Sequence, residues 1–226
     1  MHRRPKVAQP FLNAKITEIR RLCAVFYKKE KRAFYYPVVA MLIRKILETG
    51  DEKEVSLAQA VAVLLYAWNR AFYRATDSLS IWRLDRAIKK NRDDLRRLRN
   101  RSIRTFDEPR DKSTVVHLFK ELMDATRNTR TGTKSPVAVA KTLHMLAPDF
   151  FPLWDRPIAA KWGSRWKSGG EDAAEKYLDF MVNSRDVMDT IKANKLTLKM
   201  LDEANYAKFT LPKNEAARRK RNKTKR

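Results

Sequence analysis

Cysteine occurs once in the 226 residues, at Cys23, so no disulfide can form within the chain. One cysteine and three histidines (His2, His117 and His144) also fall short of a closed zinc site, which needs four nitrogen or sulfur ligands. No segment alternates apolar and polar residues over the length of a strand, which argues against a sheet. No internal repeat is visible. No apolar run is long enough to cross a bilayer, and no secretory leader pattern is present. These absences predict a protein of a reducing cytoplasm, nucleoid-associated if prokaryotic. They predict no membrane partner, no metal and no cofactor. Acidic residues are also scarce: 26 Asp and Glu stand against 50 Lys and Arg, a net charge of +24.

A surplus of that size implies a polyanionic partner. Nucleic acid is the first candidate. A membrane surface is second, because no basic amphipathic anchor lies outside the helical body. A basic subunit of a larger assembly would carry the same charge. With 43% hydrophobic residues, the chain can still bury a sizeable core.

Helical spacing runs through most of the sequence. An apolar stripe (Phe11, Ile16, Ile19, Leu22, Cys23, Phe26) predicts a helix over 11–31, and Gly50 ends a second over 33–49. A third, over 56–75, is apolar nearly all round and predicts a central position. A fourth covers 80–104, with basic residues interleaved with Asp85, Asp93 and Asp94. That face reads equally as a solvated, internally paired surface and as a phosphate-binding one. Residues 107–114 read as a loop, 114–128 as a helix, and 136–146 as another. Further helices are predicted over 171–182, 184–193 and 196–207. The prediction is an all-α, compact, monomeric body over 11–210, with one lobe or two. A basic arm over 1–10 precedes it, and a basic, disordered tail over 211–226 follows.

The stretch Thr131–Trp162 carries the chemistry: a polar turn with Lys134, an apolar helix, an aromatic loop, then Asp155. Gly132-Thr133-Lys134-Ser135 lacks the first glycine and the preceding strand of a nucleotide-binding loop, so nucleotide hydrolysis is set aside. The order turn, Lys-Ser, apolar helix, proline-bearing loop, aspartate resembles the helix-hairpin-helix DNA glycosylase superfamily. Lys134, Ser135, Val137, Val139 and Lys141 match most closely the layout of its archaeal 8-oxoguanine glycosylase branch. The resemblance covers about thirty residues, and Gly132 stands where the family has two glycines.

The resemblance implies a DNA glycosylase that flips a damaged or modified base out of a duplex, with or without a β-lyase step. Lys134 would be the nucleophile and Asp155 its assistant. Arg130, Gly132, Thr133, Ser135, Lys141 and Arg156 would hold the DNA. Trp154 and Trp68 would wall the base. The turn amides and the helix N-terminus at Ser135 would take a flanking phosphate.

The same residues admit plainer roles. Asp155 before Arg156-Pro157 is a good N-cap. Lys134 fits an exposed turn lysine, Trp154 a core residue, and His144 an interior histidine. The alternative function is a helical nucleic-acid-binding protein, architectural or defensive, without catalysis.

Overall fold

The computed structural model describes residues 9–75, 77–191 and 196–224, with side chains described as far as residue 217. The predicted basic arm therefore lies mostly outside the described residues. Every regular element among those residues is helical, as the missing period-two pattern requires.

The first helix, α1, spans Ile16–Lys29 and buries Ile19, Cys23 and Phe26. Tyr35–Thr49 forms α2, ended by Gly50 in the left-handed region at φ 69°, where glycine carries no steric penalty. Leu57–Trp68 forms α3, opened by a capping box between Ser56 and Gln59. It lies between α2 and the fourth helix and also touches the seventh, so its nearly all-apolar surface is covered except around Val63, which stays exposed. It stops at Trp68 rather than near residue 75: Asn69 leaves helical geometry at φ -114° and ψ 33°, and the Lys141 amine donates to the Trp68 carbonyl at 3.3 Å. A cation on the last carbonyls of a helix is favourable.

The single helix expected over 80–104 is two: α4 (Ile81–Lys90) and α5 (Arg92–Arg99). Asn91 breaks it. Its side-chain amide donates to the Ala87 carbonyl at 2.8 Å, beside its own backbone amide at 3.2 Å, so both donors converge on one carbonyl. The interleaved acids do pair locally, Asp85 with Lys89 at 2.8 Å and Asp94 with Arg97 at 2.9 Å.

The sixth helix, α6 (Glu108–Ala125), begins inside the stretch that reads as a loop. Pro109 fits its first turn, where no amide donor is needed. The fully buried Asp111 carboxylate anchors that turn. It accepts from the Asp107 amide at 2.9 Å and from Arg101 at 2.7 and 2.8 Å.

The turn over 126–135 leads into α7 (Pro136–Leu146), and Arg156–Lys161 forms α8. Ala173–Thr190 is one continuous helix, α9, where two were expected. No glycine or proline interrupts it, and Ser184 is simply buried in its middle. Leu198–Asn205 forms α10, and the chain then widens into a π-helical turn over Tyr206–Thr210.

Where the sequence suggests an irregular tail, α11 (Leu211–Thr224) carries the chain onward. Leu211 is buried with Phe26, Ala33 and Ala207, and Glu215 pairs with Lys29 at 2.8 Å. Nearly all other buried apolar residues join one continuous core.

Candidate functional site

The turn that carries Lys134 is built by Asn128. Its Oδ1 accepts from the amides of Arg130 and Thr131 at 3.0 and 3.2 Å, and its carbonyl from the Gly132 amide at 2.9 Å. Those three amides are therefore spent inside the turn and are not free to hold a phosphate. Gly132 supplies the left-handed residue at φ 68°, and Thr133 pairs its hydroxyl with that of Thr131 at 2.7 Å. Ser135 is buried and accepts from the Ala138 amide at 3.2 Å. The N-terminus of α7 is thus capped from within. A phosphate grip through the turn backbone, as the resemblance implies, lacks these donors.

Lys134 faces outward. Its amine pairs with Asp124 on α6 at 2.7 Å. Arg130, also exposed, stands 3.9 Å from Asp77.

Asp155 is positioned differently. It caps α8, accepting from the Ile158 amide at 2.8 Å through Oδ1. Its second oxygen, Oδ2, accepts from the Thr210 hydroxyl at 2.8 Å. It lines a small cavity with Glu30, Arg32, Trp68, Lys141, Asp202 and Tyr206. Lys134 is not among the lining residues; the lysine beside Asp155 is Lys141, two turns further along α7.

Lys141 is half-buried, and its amine turns inward, donating to Trp68 O and to Asn69 Oδ1. It lies 5.6 Å from the Trp68 ring centre, within cation–π range. Desolvation lowers the amine from 10.5 to about 8, although the charges of Asp155 and Asp202 act to hold its proton. Burial likewise raises Asp155 above the ordinary carboxylate range, against the pull of its Ile158 and Thr210 bonds and of Lys141. Asp202 is raised by the same cause, opposed by Lys199.

The cavity belongs to a wider buried charge network. Lys199 lies 3.2 Å from Asp202 and 3.4 Å from Glu203. It also stands over the rings of Phe26, Tyr36 and Trp68 at 5.0, 4.6 and 5.5 Å. Trp68 is thus shared by two lysine amines. Arg32 grips Glu30 through Nε and Nη2 at 2.9 and 2.8 Å, and Tyr206 donates to Glu30 at 2.8 Å. Burial opposes the charge on Glu30, but these partners bring its pKa down to about 2. Both Tyr206 and Thr210 come from the π-helical turn. Such insertions are frequent at functional sites because they re-aim side chains.

The remaining predicted residues fall outside this cavity's polar chemistry or play a structural part. Trp154 touches the cavity edge but is buried, and its indole donates to Ser164 at 3.1 Å. Its ring stacks among Trp166, Tyr177 and Phe180. Arg156 is exposed and lies 5.4 Å from the Trp166 ring. His144 is interior. Its Nδ1–H donates to the Phe151 carbonyl at 2.7 Å, so Nε2 accepts from Tyr36 at 2.8 Å. Cys23 is buried, and burial with Glu203 pushes its thiol to about 12. That thiol stays protonated and unreactive.

The members of this network that sequence reasoning missed are Glu30, Arg32, Lys199, Asp202 and Tyr206. The buried acids Asp202 and Glu203 among the apolar residues of α10 were the available signal; Glu30 and Arg32 lie just after α1 and carry none. The cavity holds about 40 Å³, room for a water or two. As it stands, it does not admit a nucleobase. Among the described residues, no three His, Cys, Asp or Glu side chains gather as a metal site, and no helix is long and apolar enough to cross a membrane. Comparison with family models, with curated proteins and with solved structures finds no match.

Proposed function

We propose that this protein binds nucleic acid on the outer face formed by α4, the end of α6 and the 126–135 turn. The observation that carries this reading is the placement of Lys134. It lies outside with Asp124, near the exposed Arg127 and Arg130, and apart from the buried acid. The net charge of +24 supplies the long-range attraction to phosphate.

Titrating the full chain against duplex and single-stranded DNA at several salt concentrations tests this. Affinity is expected to fall steeply and linearly on a log–log plot as salt rises. Lys134→Ala is expected to change that slope by about one unit at most, the share of a single phosphate contact. Absence of salt-sensitive binding would overturn the reading. So would complete loss of binding on deleting residues 213–226, which would assign the affinity to the tail.

A second reading, base excision, is favoured by one observation: a lysine amine at about 8 shares a small cavity with a carboxylate and lies against the Trp68 indole. An amine that is partly neutral at physiological pH is competent for nucleophilic attack. In this reading Lys141 replaces Lys134 as nucleophile. Its nitrogen bonds to the anomeric carbon as the bond to the base breaks, and Asp155 takes the amine proton. The Tyr206–Glu30 and Thr210–Asp155 bonds would have to open first. Borohydride trapping on lesion-bearing DNA tests it: an adduct lost in Lys141→Arg but kept in Lys134→Ala supports this version. No adduct and no base release across a broad lesion panel removes it.

A further inference from the structure

Trp82 on α4 is 67% exposed. The helix turns Leu84, Ala87 and Ile88 into the core and leaves this indole on the opposite side. An exposed indole offers a large flat apolar face on which a planar ring can stack.

Its surroundings are specific. Trp82 lines an open groove of about 440 Å³ with Arg83, Arg86, Lys90, Glu121, Asp124 and Arg127. Both acids in that groove are already engaged, Glu121 by Lys90 at 2.9 Å and Asp124 by Lys134 at 2.7 Å. Arg83, Arg86 and Arg127 have no ion-pair partner among the described residues. Arg86, one turn from Trp82, holds its guanidinium 5.5 Å from the indole centre. The groove thus joins an aromatic face to three guanidinium groups that have no carboxylate partner among the described residues, one of them, Arg86, resting against the indole itself. That combination suits an unstacked base flanked by phosphates: the indole stacks on the base and the arginines meet the backbone. A basic groove of this kind is a poor match for a second copy of this +24 chain, because like charges would face each other.

We infer that the Trp82 groove is a binding site for a single-stranded nucleic acid segment, with Trp82 as the stacking platform for one unpaired base. This rests on the nucleic-acid reading above and narrows it from nucleic acid in general to strands with accessible bases.

The test compares the full-length wild type with Trp82→Ala and Trp82→Phe. Each is titrated against oligothymidylate, oligouridylate and a fully paired DNA duplex at one fixed salt concentration. Trp82→Ala is expected to lose about 5- to 150-fold in affinity for single strands, the equivalent of one base stack. Its duplex affinity should change by less than about twofold, and Trp82→Phe should keep most of the single-strand affinity. The two oligomers separate a DNA preference from an RNA preference. Equal loss on duplex and single strand, or no loss on single strand, would overturn the inference while leaving nucleic-acid binding intact. Failure of the wild type to bind any of the three would overturn both. If Trp82→Ala instead abolished self-association and left strand affinity unchanged, the groove would be an interface between copies, and the inference would fall. Trp82 is exposed, so circular dichroism should show the same fold and melting temperature for all three proteins.

Discussion

The amine of Lys134 meets the carboxylate of Asp124 at 2.7 Å, while Asp155 caps α8 and shares a cavity with Lys141. The lysine of the turn therefore belongs to the outer, basic face, and the lysine of the helix belongs to the buried network.

Lys141 makes stability depend on alkaline pH. Its amine is held at about 8 in the folded protein against 10.5 when free. Between these values the unfolded chain binds more protons, so stability rises with pH through this window. Below about 8 the cost of the buried charge is fully present, on the order of a few kcal/mol. Urea denaturation of wild type and Lys141→Met at pH 7.5 to 10 checks this. The wild type should gain stability relative to Lys141→Met as pH rises, because the other titrating groups are common to both.

His144 gives the corresponding effect in acid. Desolvation lowers it from 6.5 to about 3, against the support of its Phe151 hydrogen bond. The unfolded chain takes up this proton between about 6.5 and 3 while the folded one resists, so stability is lost as pH falls through that range. His144→Gln is expected to flatten that part of the pH–stability curve. An unchanged acid limb would show that the imidazole is solvated.

Trp154 is a core residue by its packing. Trp154→Ala is expected to cost about 3–5 kcal/mol of stability, read as a lower denaturation midpoint. A variant that kept full stability but lost nucleic-acid affinity would return Trp154 to the role of base wall.

The Arg101–Asp111 pair holds the start of α6. Asp111 is fully buried with Arg101 on both its oxygens. Arg101→Ala leaves that carboxylate without its main partner, an expected loss of about 3–5 kcal/mol. Asp111→Asn, which removes the buried charge and keeps the shape, should cost less in the Arg101→Ala background than in the wild type.

How far these features could be read from the sequence depends on what sets each one. Apolar periodicity sets the existence of α1, α2, α3, α6 and α7, and each is legible there. The Asn91 break is not, because a side-chain amide joining the backbone amide on the Ala87 carbonyl leaves the periodic pattern intact. Neither is the start of α6, where the buried Asp111 pairs with an arginine in the preceding segment. The order Lys134, helix, Asp155 is visible in the chain, but an eleven-residue helix is about 16 Å long, and Lys134 stands before its first residue. The loop after α7 returns Asp155 beside the middle of the helix, where Lys141 projects. Residues of the buried network come from the segment after α1, from α3, α7, the cap of α8, α10 and the π-helical turn. Spacing along one segment does not encode such a meeting.

The most direct measurement of the outer-face reading is the salt dependence of DNA affinity for the wild type and for the triple variant Arg83→Ala, Arg86→Ala, Arg127→Ala. On duplex, each lost phosphate contact removes about 0.9 from the slope of log affinity against log salt. A fall of about 2–3 in slope is predicted for the triple variant, with the fold unchanged by circular dichroism. A triple variant with the slope and affinity of the wild type would contradict the account.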